Sequence, residues 1–199
     1  MNPEMERFLC EVFRENGVYD QAIRQVFETE LRCGGKLSFA AIELRDCLDH
    51  VAHLLKGEDF QTHSVEIRTH LYRTRSVSLE YWAEELSDQL RQRIADTDSW
   101  KKAGVDADAV KYHNAFNTAC DLIAEGRARK GNRDETHMEL FIKAQQIAQQ
   151  AIAELRVCDA LGKVAAYKNS VHTRLVAVAC SVLGALIGGL ISAFLRCSP

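Results

Sequence analysis

The sequence predicts an all-α protein: an antiparallel bundle of about five helices followed by one C-terminal transmembrane helix. Three observations carry this prediction. Only two prolines occur in 199 residues, Pro3 and Pro199, so none interrupts an internal segment. Gln, Ala, Leu, Glu and Arg are abundant helix formers, and apolar residues recur at spacings of three and four with little alternation. Leu175 to Leu195 carries no charge, and as a helix it reaches about 30 Å, the thickness of a bilayer's hydrocarbon core.

The first helix is expected from Pro3 to Arg32, loosened at Asn16-Gly17, with Phe8, Val12, Ile23, Val26, Phe27 and Leu31 on its buried stripe. Gly34-Gly35 stops it. Ser38 is the expected N-cap of a second helix running to Lys56, with Ala41, Leu44, Leu48, Val51 and Leu55 inward and Gly57 as the stop. A third spans Thr62 to Asp96, with a bend expected near Arg75-Ser76 and Leu79, Trp82, Leu86, Leu90 and Ile94 as the stripe of its second half. The fourth runs from Asp106 to Ala124, placing Val110, Phe116, Ala119 and Ile123 in the core, and Gly126 to Asn132 reads as a basic loop. Asn132 with Glu135 resembles a capping box for the fifth, where Phe141, Ala144, Ala148, Ala151, Leu155 and Cys158 keep the spacing of a bundle or dimer seam. The organisation expected is a cytosolic bundle over 1–160, a juxtamembrane connector over 161–174 and the span over 175–195.

Small residues recur every fourth position within the span. Ala177, Ser181, Ala185 and Gly189 form one row, and Gly184, Gly188 and Ser192 lie on the adjacent one. Such small-xxx-small rows let two membrane helices approach closely, which predicts a homodimer or higher homo-oligomer. Lys163, Lys168 and Arg174 precede the span and Arg196 follows it, so the positive-inside rule places the body in the cytosol. The expected localisation is a single-pass, tail-anchored membrane protein.

A net charge of −3 gives no global attraction to nucleic acid. Local basic clusters occur at Arg68, His70, Arg73 and Arg75 and at Arg127, Arg129, Lys130 and Arg133, and read as solvated surface. The seven cysteines include no CxxC pair, which argues against a disulfide framework or zinc knuckle and favours a reducing compartment.

Chemistry concentrates in the second helix. Asp46, Asp49, His50 and His53 share one helix face, beside the apolar stripe. The segment Glu43-Leu44-Arg45-Asp46-Cys47-Leu48-Asp49-His50 resembles the Arg-x4-6-His motif of HEPN domains, small helical bundles that in many cases dimerise as metal-independent endoribonucleases. The resemblance implies His50 as general acid or base on the ribose 2′-hydroxyl and the leaving oxygen. It implies Arg45 on the scissile phosphate, Asp46 as the residue that orients one of them, and RNA as the partner. No cofactor is expected on that reading. A metal site is the other chemical possibility. Asp46 with His50, Asp49 with His53 and Glu66 with His70 are i, i+4 pairs, and His63, His113 and His137 are looser candidates. The chain holds no phosphate-binding glycine loop and no Gly-x-Ser-x-Gly elbow.

Three functions fit these features. The first is a tail-anchored interaction and oligomerisation module. The second is a membrane-anchored HEPN-type ribonuclease acting as toxin or defence effector. The third is an effector that perturbs the membrane through its oligomerising tail.

Overall fold

In the computed structural model the described backbone covers residues 2–95, 108–130 and 136–196; side chains are described within these ranges up to 163 and again at 167 and 170–176. Six helices make up the described residues, with no strand among them: α1 (Pro3–Phe13), α2 (Val18–Cys33), α3 (Ser38–Leu55), α4 (Phe60–Ala95), α5 (Ala109–Lys130) and α6 (Thr136–Arg196). The all-α expectation holds. The helix expected from Pro3 to Arg32 is two helices, and the fifth helix, the connector and the tail form one continuous helix.

Asn2 caps α1 by accepting from the Glu4 amide at 3.0 Å, with Pro3 at the first helical position. The chain breaks after Phe13 because Asn16 takes φ 60° and Gly17 folds back on the α1 carbonyls. A Cβ on Gly17 would lie 2.6 Å from the Val12 carbonyl oxygen, so the turn requires glycine. Gly34, at φ 69°, closes α2. The cap of α3 is Leu37 rather than Ser38; the Leu37 amide is held by the Glu30 carboxylate at 2.8 Å. Gly57, at φ 85°, turns the chain into α4, where Asp59 accepts from the Thr62 amide at 2.9 Å.

The chain divides into two compact units. The first comprises Met1–Gln92 and Val110–Ile152, the second Arg93–Ala109 and Ala153–Pro199. Within the first unit α4 serves two cores. Its N-terminal half joins Met5, Phe8, Val12, Ala22, Cys47 and Leu54 through Ile67 and Leu71. Its C-terminal half joins Ala119, Ile123, Met138, Phe141 and Ala144 through Leu79 and Ala83. Thr74, Ser76 and Ser78 are buried between the two cores. The helix runs unbroken through Arg75-Ser76, where Thr74 and Ser78 donate their hydroxyls to carbonyls four residues back, at 2.9 and 2.8 Å. In the second unit Ile94 and Leu155 are buried.

Other assignments move. Ile23, Phe27 and Leu31, expected in the core, are exposed; α2 buries Ala22 and Thr29 instead. The inward face of α3 is Ala40, Glu43, Cys47 and Leu54, while Leu48 and Leu55 face outward. Val110 is exposed. Gly126 lies inside α5, not in a loop, because it packs on Phe141: a Cβ there would sit 2.6 Å from the ring. The capping box at Asn132 and Glu135 lies outside the described residues.

The tail is helical through Arg196. The side chains of its expected packing face, Ala177, Ser181, Gly184, Ala185, Gly188, Gly189 and Ser192, lie outside the described residues. Among the described residues, no helix is long and apolar enough to cross a membrane.

Candidate functional site

Helices α3 and α4 form a hairpin about the turn at Lys56–Asp59. In an antiparallel hairpin, residues equally distant from the turn face each other. Centred near Glu58, this rule sets His53 opposite His63, His50 opposite Glu66, and Glu43 opposite Arg73. The structure bears it out. The His53 ring lies against His63 and an Arg73 guanidinium nitrogen lies 4.0 Å from a Glu43 carboxylate oxygen, while His50 Nδ1 also meets His63 Nδ1 at 2.9 Å, one turn nearer the hairpin than its opposite residue Glu66.

The result is a seam of histidines and carboxylates. The His50 ring stacks on His70, centroids 5.3 Å apart, and the His53 ring stacks on His63 at 5.0 Å. His70 Nδ1 meets Glu43 Oε2 at 2.6 Å, and both side chains are buried. Glu58 closes the solvent end, with one oxygen 2.8 Å from His53 Nδ1 and the other 3.6 Å from His63 Nε2. Two sets of ligand-type atoms therefore gather, each within 4.8 Å of one another: His50, Glu66 and His70 deeper in the seam, and His53, Glu58 and His63 nearer solvent.

Electrostatics follow from this packing. Burial lowers the His50 pKa below the ordinary 6.5, helped by charge on His70 and His63 and opposed by Glu66. The hydrogen bond from His53 holds the Glu58 carboxyl below its usual value. Burial pushes the Cys47 thiol up to about 12.

The residues singled out by the HEPN resemblance are distributed differently. Arg45 is 68% exposed and binds its neighbour Asp46 in a two-point contact, at 2.7 and 3.1 Å. That hydrogen bond raises the guanidinium pKa further. His50 points into the seam, toward His63 and His70. Five residues apart on a helix, Arg45 and His50 are separated by about 140° around its axis.

The candidate metal pairs separate too. Asp46 is engaged by Arg45, Asp49 and His113 are exposed, and neither i, i+4 pair on α3 forms a ligand set. Glu66 with His70 does, joined by His50 from α3. His137 is fully buried, with Ser76 Oγ at 2.9 Å from Nε2 and Tyr72 Oη at 3.2 Å from Nδ1. Sequence reasoning missed Glu43 and Glu58. The signal that could have found them is the hairpin symmetry about Gly57-Glu58.

Carboxylates engage most of the sequence's basic clusters. Arg68 pairs with Glu11 at 3.1 Å, Lys130 with Glu80 at 2.6 Å, Arg129 with Glu125, and Arg127 with both Glu80 and Glu84. Arg133 lies outside the described residues.

Two apolar surfaces complete the picture. Ile23, Phe27 and Leu31 form a ladder along α2, 37%, 66% and 74% exposed. An apolar groove of about 530 Å³ between α1 and α3 is lined by Leu9, Cys10, Phe13, Arg14, Leu48 and Val51. Comparison with family models, with curated proteins and with solved structures finds no match to this chain.

Proposed function

We propose that this protein is a membrane-anchored interaction module: a helical body that self-associates, tethered through its C-terminal segment. The observation that carries the reading is the Ile23–Phe27–Leu31 ladder. Three large apolar side chains at helical spacing face water on α2, and an exposed apolar stripe of this kind marks a contact surface. The groove beside Leu48 and Val51 supplies a concave apolar counterpart. Support for the tether comes from the uncharged sequence Leu175–Leu195 and the basic residues before it. A tether confines the bodies to two dimensions and raises their effective concentration, so a modest apolar patch suffices for association.

The HEPN-type ribonuclease reading draws less support from the geometry. A phosphodiester approaching His50 meets Glu43, Glu58 and Glu66, and Arg45 is engaged by Asp46. A metal-independent nuclease needs the reverse balance of charge around its phosphate.

The test uses the full-length chain. Membrane fractionation should place it in the pellet, and Leu183→Arg with Leu186→Arg should release it. In mild detergent, light scattering should show an oligomer that the double substitution Phe27→Glu, Leu31→Glu drives toward monomer with helix content preserved. An unchanged mass would refute the ladder as the contact surface. Expression that degrades bulk RNA, lost on His50→Ala, would favour the nuclease instead.

A further inference from the structure

The α3–α4 seam carries an inference separate from self-association. We infer that His50, Glu66 and His70 form a binding site for one divalent first-row transition ion of the zinc type. The ligand set comes from two helices. Glu66 and His70 lie one turn apart on α4, and His50 faces them from α3. Their ligand atoms already lie within 4.8 Å of one another. Bonds of about 2.0–2.2 Å to a tetrahedral ion place ligand atoms about 3.5 Å apart, so binding an ion requires the three to close by about 1 Å.

The outer nitrogens of both imidazoles are held in place. His70 Nδ1 is fixed by the buried Glu43 carboxylate at 2.6 Å, and His50 Nδ1 by His63 at 2.9 Å, so each ring has Nε2 to offer. A carboxylate behind a histidine is the support that orients metal-binding imidazoles and raises their basicity. Glu43 is buried with His70 as its hydrogen-bond partner and an Arg73 nitrogen 4.0 Å away, which keeps a carboxylate behind the His70 ring. Two imidazoles with one carboxylate select a borderline ion such as Zn²⁺ or Co²⁺ over Mg²⁺ or Ca²⁺, which prefer all-oxygen shells. Three protein ligands leave a fourth position for water or an incoming group. The outer set, His53, Glu58 and His63, is more exposed, and its carboxylate already bridges both rings. It therefore serves as the control.

The experiment is a titration of chelator-stripped, untagged full-length protein in detergent with Co²⁺ alone, followed by visible absorption and by displacement with Zn²⁺. The expected result is a saturable band at one equivalent that Zn²⁺ removes. Glu66→Gln and His50→Ala should each weaken binding by about tenfold or more, whereas His53→Ala should leave it within about twofold. Glu66→Gln keeps the side chain's shape, and circular dichroism on each variant verifies the helix content. The inference is overturned by the absence of a saturable band, by affinity unchanged in Glu66→Gln and His50→Ala, or by a loss confined to His53→Ala, which would assign the ion to the outer set.

Discussion

His70 Nδ1 and Glu43 Oε2 stand 2.6 Å apart across the α3–α4 interface, with both side chains withdrawn from solvent. Truncating either partner leaves a polar group buried without its hydrogen bond. Glu43→Ala should therefore lower stability by about 1–3 kcal/mol. The Glu43→Leu, His70→Leu pair should recover most of that loss, because removing both partners removes the desolvation cost. Thermal unfolding of Glu43→Leu, His70→Leu and the double variant in chelator decides it; additive losses would mean the pair is not coupled.

Gly126 lies against Phe141 so closely that a Cβ would fall 2.6 Å from the ring. Helix propensity alone would favour alanine by about 1 kcal/mol. The ring is fully buried within the second core, so overpacking is expected to outweigh propensity. Gly126→Ala should destabilise by about 1–3 kcal/mol, and Phe141→Leu in the same chain should relieve part of it. A stabilised Gly126→Ala protein would show that α5 and α6 can separate freely.

Glu80 accepts from Arg127 at 2.7 Å and from Lys130 at 2.6 Å. Burial pushes its carboxyl upward, but the two hydrogen bonds and the two positive charges together outweigh burial and hold it below the ordinary 4.5. A carboxyl depressed in the fold contributes stability in full above its unfolded value. That contribution is lost as pH falls through the folded value. Glu80→Gln should cost about 1 kcal/mol at neutral pH and flatten the acid limb of the stability curve below about pH 5. An identical pH slope in the two proteins would remove Glu80 from the acid response.

Cys47 sits in the first core with its thiol pushed up to about 12, whereas Cys10 is exposed. The thiolate is the reactive species, so a maleimide at pH 7 should label Cys10 and spare Cys47 until denaturant is added. Mass spectrometry of the two peptides reads the ratio. Equal labelling in the native protein would mean that the α1–α3 core opens readily.

The helices were legible because helical periodicity, glycine stops and the shortage of proline are local signals. Gly34 and Gly57 end α2 and α3 where the sequence places them. Which face turns inward was legible only in part. The three-four spacing on α2 marks a stripe at Ile23, Phe27 and Leu31, and periodicity cannot distinguish a face turned to the core from one left for a partner. On α3 the apolar stripe pointed to Leu48 and Leu55, yet the helix is rotated to bring Glu43 inside, toward His70. Gly126 read as a loop residue, although its want of a side chain serves the approach of α5 to α6.

By itself the sequence determined the all-α class, the weak point at Asn16-Gly17, the helix stop at Gly57 and the uncharged character of Leu175–Leu195. Each is a property of neighbouring residues, set by backbone freedom or by local composition. Only the tertiary structure decided that His50 joins Glu66 and His70 rather than Arg45, and that Glu43 stands behind His70. That choice depends on how α3 is rotated against α4. The rotation is set by side chains meeting across the hairpin, which no single-helix pattern records.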